Sequence, residues 1–239
     1  TPVITTATDI NNKFAVDVFA KKCRLIIVNK EGIAGVSSKV LAGEVVTMSV
    51  DREHIPAKHR SLIKAFLDEA DMSADAIKTV DFPPAYGADI VVSCEKAKNL
   101  KNGSIYLKPT QFVLGIGCRR DTAFENIDMA IRQSLLELQI DISDIDMIAS
   151  IDVKKDEPGI KKFCDRNRIE FVTYTADELM AVQGEFSASQ FVKEHVGVDN
   201  VCERAAVLAC SRECNEAGKL VYKKHKYDGV TVAAAKYPD

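Results

Sequence analysis

The chain has 239 residues, 46% of them hydrophobic, with a net charge of -3. That is enough apolar content for one large domain or two ordinary ones, and the charge argues against a nucleic-acid partner. No apolar stretch approaches the ~20 residues that a membrane-spanning helix needs.

The opening Thr1-Pro2-Val3-Ile4-Thr5-Thr6-Ala7-Thr8-Asp9 reads as the end of a strand entering a threonine-rich turn, so an element is expected upstream. Leu25 to Val28 is a short strand. Ser37 or Ser38 is placed to cap a short helix over Lys39 to Gly43. Val45 to Val50 reads as a strand. Pro56 to Glu69 is helical, with Ile63, Phe66 and Leu67 facing inward. Asp89 to Ser93 and Ile105 to Leu107 are strands. Pro83-Pro84 and Lys98 to Gly103 carry loop chemistry. Lys108-Pro109-Thr110 reads as a linker, because proline favours an extended approach.

The densest signal follows, in Phe112-Val113-Leu114-Gly115-Ile116-Gly117-Cys118-Arg119-Arg120-Asp121-Thr122. The apolar run is a buried strand. Glycine allows a tight turn and a close approach of backbone to a ligand. Thr122 and Glu125 fit a capping box, and Phe124, Ile127, Ile131, Leu135 and Leu138 then recur at helical spacing. A strand, a glycine turn and a helix start together make an anion-binding corner. Arg119 and Arg120 add the planar forks that carboxylates and phosphates prefer. The dinucleotide fingerprint would need a third glycine where Arg120 stands, and the Gly-Lys-Ser/Thr ending of a P-loop is absent.

Strand and helix then alternate. Met147 to Ile151 is a strand, and Asp156-Glu157-Pro158 opens a helix. Phe171 to Thr173 is a strand. Thr175 with Glu178, and Ser187 with Gln190, are further capping boxes. Gly197 ends the helix that Ser187 caps. Cys202 to Ser211 is an alanine-rich helix. Leu220 to Tyr222 and Val230 to Ala235 are closing strands, with a hairpin-type turn at Asp228-Gly229. The pattern predicts an α/β fold: a three-layer α/β/α C-terminal domain preceded by a smaller α/β middle region. The boundaries expected are 1–20 for the end of an N-terminal domain, 21–110 for the middle domain and 111–239 for the C-terminal domain.

Seven cysteines are scattered without a Cys-x-x-Cys pair. Only four histidines exist, none within five residues of Cys210-x-x-x-Cys214. A zinc site needs about four ligands, so no metal site is expected. The odd cysteine count without a signal sequence fits a reducing, cytoplasmic setting.

Gly115-Ile116-Gly117-Cys118-Arg119-Arg120-Asp121-Thr122 resembles the glycine-arginine signature of the C-terminal domain of CbiG proteins. The resemblance extends through Ala149-Ser150-Ile151-Asp152, Lys154, Asp156-Glu157-Pro158-Gly159, Ser187, Val196-Gly197-Val198 and Glu203-Arg204-Ala205-Ala206. Thr5-Thr6-Ala7-Thr8-Asp9 resembles the end of that family's N-terminal domain, and residues from about 10 to 110 its variable middle domain. The resemblance implies a cobalt-precorrin-5A hydrolase of anaerobic cobalamin (vitamin B12) biosynthesis. Such an enzyme opens a ring A δ-lactone with water and releases acetaldehyde. The cobalt would arrive inside the corrinoid substrate, with no protein cofactor, no nucleic acid and no membrane involved. Other enzymes of the pathway would be possible partners. A stand-alone relative looks like the C-terminal domain alone, so a non-catalytic tetrapyrrole-binding or hand-over protein is the alternative.

That chemistry needs cationic or N–H donors for a macrocycle rimmed with carboxylates, an acid or base, and stabilisation of oxyanion charge. Gly115, Gly117, Arg119 and Arg120 fit the first and third needs, with Thr122, Lys154 and Ser187 as further contacts. Asp152 and Glu157 are the candidate general bases. Thr5, Thr6 and Asp9 could face the substrate from the other side. Cys118 has no neighbouring histidine in sequence to activate it and reads as a packed residue.

Overall fold

The computed structural model describes residues 15–69, 77–83, 87–94, 103–190, 194, 197–214 and 217–238. The chain divides into two units, Thr1–Thr110 with Asp239, and Gln111–Pro238.

The first unit is a five-stranded sheet in the order β1-β5-β4-β2-β3. Its strands are β1 (Leu25–Ile27), β2 (Val46–Val50), β3 (Ile77–Val80), β4 (Ile90–Val92) and β5 (Ile105–Pro109). Its helices are α1 (Val16–Lys22), α2 (Ile33–Ala42) and α3 (Ala57–Glu69). All neighbours run parallel except β1, which lies antiparallel on β5. Phe19 of α1, Met48, Ile90 and Leu107 form its core, and Ile63, Phe66 and Leu67 of α3 pack there as the helical spacing required.

Two expectations fail in this unit. The helix expected over Lys39 to Gly43 begins earlier, at Ile33, so Ser37 and Ser38 lie inside it and cap nothing. Gly35 sits inside the first turn of that helix, where its low intrinsic helix propensity is overridden by tertiary context. Gly32 serves a close approach, since a Cβ there would meet Gly103 O at 2.5 Å. Lys108 and Pro109 are not linker but the end of β5, where Pro109 stands opposite Leu25.

The second unit is a sheet in the order β8-β7-β6-β10-β9. It comprises β6 (Phe112–Cys118), β7 (Ile145–Ile151), β8 (Glu170–Tyr174), β9 (Lys219–Tyr227) and β10 (Val230–Lys236). β6, β7 and β8 are parallel, and β10 runs antiparallel between β6 and β9. Helices α4 (Phe124–Leu138) and α5 (Pro158–Asn167) cover one face, burying Ile127, Ile131, Ile160 and Phe163 against Leu114, Ile116, Ile148 and Val232. Helices α6 (Ala176–Met180) and α7 (Val201–Cys214) cover the other. There Leu179, Ala205, Ala206 and Ala209 meet Val113, Met147, Ala149 and Ala235. The unit is therefore the three-layer α/β/α arrangement that strand–helix alternation implied.

Local corrections here concern caps and one strand. The capping box at Thr175 with Glu178 forms as expected, and Pro158 stands in the first turn of α5. Thr122 is not a helix cap: Ala123 holds that position in α4, and Thr122 Oγ1 donates to Arg119 O at 2.8 Å. Ser187 and Gln190 form no capping box. Ser187 bonds Glu203, and Gln190 donates to Glu194. β9 is nine residues long rather than the three of Leu220 to Tyr222. Its second half, Lys223-Lys224-His225-Lys226, carries no apolar side chain to signal a strand. It is an edge strand, and lysines on an edge discourage pairing with another chain.

Candidate functional site

β6 and β7 run parallel, so their C-terminal ends open on the same edge of the sheet. Ligands of open α/β sheets bind at such ends. After Cys118 the chain turns through Arg119 and Arg120 to Asp121, whose φ of 58° lies in the left-handed region. After Ile151 it makes a short 3-10 turn, Asp152–Lys154. The hairpin between β9 and β10 reaches the same place: Gly229 O accepts from Arg119 N at 3.1 Å, and Thr231 Oγ1 donates to Gly117 O at 3.1 Å.

The start of α7 closes the fourth side. Asn200 is almost fully buried; its Oδ1 accepts from Glu203 N at 3.0 Å, and its Nδ2 donates to Ser187 O at 2.9 Å. This is a side-chain cap of the helix. Glu203, in the first turn, has no exposed surface. Its carboxylate accepts from Ser187 N at 2.8 Å, Ser187 Oγ at 2.9 Å and Lys224 N at 2.6 Å. A buried carboxylate is tolerated when such donors replace its water. Glu203 thereby holds the Ser187 segment, α7 and β9 together.

Between these elements lies a cleft of about 910 Å³, within the range of small-molecule sites. Arg119, Arg120, Lys154, Lys224 and Lys226 line it, and among the described residues no Asp or Glu does. Two thiols, Cys118 and Cys202, also line it. Burial pushes the Cys118 thiol up, and pushes that of Cys202 to about 12. Both therefore stay protonated at neutral pH, and the thiolate, not the thiol, is the nucleophile.

The structure brings Gly117, Arg119, Arg120 and Lys154 together in this cleft. Gly115 sits elsewhere, buried under α7, where a Cβ would fall 1.7 Å from Cys202 O. Its missing side chain serves packing of helix on strand. Thr122 lies behind the arginine loop, its N–H donating to Glu157 Oε1 at 3.0 Å. Glu157 is buried, and its Oε2 accepts from Lys154 Nζ at 2.9 Å. One carboxylate thus fastens the loop after β6 to the turn after β7. Asp152 is exposed beside the cleft, with Oδ1 accepting from Val153 N at 2.8 Å. Ser187 stands behind the α7 cap, while Ser189 lines the cleft. Thr5, Thr6 and Asp9 lie outside the described residues.

Sequence reasoning missed Lys224, Lys226, Asn200 and Thr231, which all line the cleft. The lysines left a signal. In a strand, residues two apart share a face, so Lys224 and Lys226 had to point the same way.

Comparison with known proteins adds the following. The family model described as "Cobalamin synthesis G C-terminus" matches residues 112–235. The chain is 30% identical over 248 positions to the cobalt-precorrin-5A hydrolase of Priestia megaterium, covering 99% of this chain and 62% of that protein. It is 29% identical over 233 positions to the enzyme of the same name from Salmonella typhimurium, covering 97% of this chain and 62% of that one. It therefore spans about three fifths of the length of these curated relatives. Among solved structures, CobE, a protein of the cobalamin (vitamin B12) biosynthetic pathway, superposes with a TM-score of 0.52 at 26% identity, over 54% of this chain and 92% of that one.

Proposed function

The chain belongs to the cobalamin synthesis G family through its C-terminal domain, and from that premise we propose that the protein is a cobalt-precorrin-5A hydrolase. The observation that carries this reading is the cleft: no Asp or Glu lines it among the described residues, and of its five cations one, Lys154, is paired with a carboxylate, that of Glu157 behind the lining. A concave site of one sign concentrates ligands of the other. A corrinoid intermediate rimmed with acetate and propionate groups supplies that charge. Its cobalt enters within the substrate.

In this reading Arg119, Arg120 and Lys154 hold substrate carboxylates, and the nearest cation stabilises the oxyanion that forms as water attacks the lactone carbonyl. The acyl C–O bond breaks, leaving a ring A carboxylate and an alkoxide on the methyl-bearing meso carbon. That alkoxide becomes the carbonyl of acetaldehyde as the carbon–carbon bond to the macrocycle breaks, the electron pair staying with the macrocycle, which takes up a proton. Asp152 is the proposed general base, because one of its oxygens makes no hydrogen bond among the described residues. Glu157 spends both oxygens on Thr122 N and Lys154 Nζ, so its part is positioning. The direct test is anaerobic incubation with cobalt-precorrin-5A, with acetaldehyde as the readout. Release of one equivalent supports the hydrolase.

One observation favours a second reading. No carboxylate lines the cleft among its described residues, which suits a protein that binds a tetrapyrrole and passes it on. Tight binding without acetaldehyde would establish that reading in place of the first. Of the described residues, no helix is long and apolar enough to cross a membrane.

The arginine loop gives a narrower test. Arg119 is exposed and its side chain makes no hydrogen bond or ion pair among the described residues. Arg119→Ala should therefore leave the melting temperature nearly unchanged. Losing a hydrogen bond to a charged group costs about 1.5–3 kcal/mol, so corrinoid affinity should fall roughly tenfold or more. An unchanged affinity with a sharply lower melting temperature would make the arginine structural.

A further inference from the structure

β9 carries four basic side chains in a row, Lys223-Lys224-His225-Lys226, and the fold sorts them. His225 turns to the α4 side of the sheet. Its ring stacks on Tyr222 at a centroid distance of 4.1 Å and an interplanar angle of 12°, and its Nε2 lies 3.8 Å from Glu137 Oε2. Lys223 is exposed and does not line the cleft. Lys224 and Lys226, two apart and so on one face, both line it. Lys226 stands opposite Thr231, whose hydroxyl is bonded to Gly117 O, so the strand position that carries Lys226 is tied to the end of β6. Lys224 is tied by its N–H to the buried Glu203 carboxylate, and among the described residues its ammonium donates to a neutral carbonyl, Ser187 O at 2.9 Å. Neither ammonium pairs with a carboxylate among the described residues.

We propose that Lys224 and Lys226 are a second anion-binding wall of the cleft, and that the ligand must present carboxylates to the hairpin and to the arginine loop at once. This rests on reading the cleft as the corrinoid site. Lys154 is paired with Glu157, but the charges of Arg119, Arg120, Lys224 and Lys226 converge on one concavity and repel one another. A ligand with a single carboxylate would leave one wall unneutralised, whereas a macrocycle with carboxylates around its rim reaches both. The glycine-arginine corner then supplies half of the recognition, and the β9–β10 hairpin the other half. Placing the lysines on a paired strand, rather than a loop, fixes where the second carboxylate must lie.

The test uses the whole chain and uroporphyrin, an octacarboxylate macrocycle, titrated by fluorescence at two salt concentrations. The variants are Lys226→Ala, Lys223→Ala and Arg119→Ala, each checked by thermal unfolding. Lys226→Ala should weaken binding about tenfold, equivalent to about 1.4 kcal/mol, and flatten its salt dependence. Lys223→Ala, which removes an exposed lysine that does not line the cleft, should stay within about twofold of wild type. Equal losses in Lys223→Ala and Lys226→Ala would mean diffuse charge attraction, and would overturn the proposal. A loss in Arg119→Ala with none in Lys226→Ala would also overturn it, while leaving the reading of the cleft intact. If the wild-type chain fails to bind the macrocycle, both fall together.

Discussion

Gly115→Ala is expected to unfold the 111–238 unit or to cost it about 3 kcal/mol or more, at the upper end of overpacking penalties. The added methyl would lie 1.7 Å from Cys202 O and 3.0 Å from Ala206 N. Both are backbone atoms of α7, so no side-chain rotation relieves the clash. The helix would have to lift from β6. Lifting it would disturb the packing of Ala205, Ala206 and Ala209 on the sheet and the Asn200 cap, which share that helix and its start. Urea denaturation of the two proteins measures the effect. A loss below about 1 kcal/mol would mean that α7 slides on the sheet without penalty, against the dense packing of protein interiors. Gly117→Ala should cost less, because the nearest atom is a side-chain oxygen, Thr231 Oγ1 at 2.7 Å.

The second large effect concerns the two carboxylates at the end of β7. Asp152→Asn should cut turnover by roughly 10²–10⁴, the range for loss of a general acid or base, with corrinoid binding kept. Asp152 is exposed, so stability should barely change. Glu157→Gln should behave in the opposite way. It removes the negative partner of Lys154, whose side chain is only 13% exposed. Breaking a buried pair from one side costs about 3–5 kcal/mol. The neutral amide can still accept from Thr122 N, so the loss should fall in the lower part of that range. Binding and melting temperature should therefore drop together in Glu157→Gln, whereas only turnover drops in Asp152→Asn. Normal rates in both variants would place the base outside this turn.

The sheet of the second unit was legible because its central strands are buried on both faces. Runs such as Phe112 to Ile116 and Met147 to Ile151 carry a signal that few other structures would leave. The arginine loop was legible for a related reason: two glycines and two arginines next to a strand end have few other uses. What stayed hidden depends on contacts distant in sequence. Thr122 looks like a helix cap locally, but its N–H is claimed by Glu157, 35 residues on. Ser187 looks like a cap until Glu203 takes both its donors. Gly115 and Gly117 look alike in a motif, yet one lies under a helix and the other lines the cleft. The Lys224–Lys226 wall was hidden because its strand is polar. Without apolar side chains directly after Tyr222, the expected strand stops there, whereas β9 runs on to Tyr227.

The tie made by Glu157 also bears on how quickly the cleft can be filled. Its two oxygens hold the loop after β6 to the turn after β7, and the N–H of Arg119 is held by the hairpin at Gly229. The cationic walls are therefore anchored before any ligand arrives, and capture does not wait for a loop to order itself. Association then becomes an encounter problem, in which a charged macrocycle is steered by the field of the cleft. Added salt slows the arrival of such a ligand, while its departure depends on the bonds made inside.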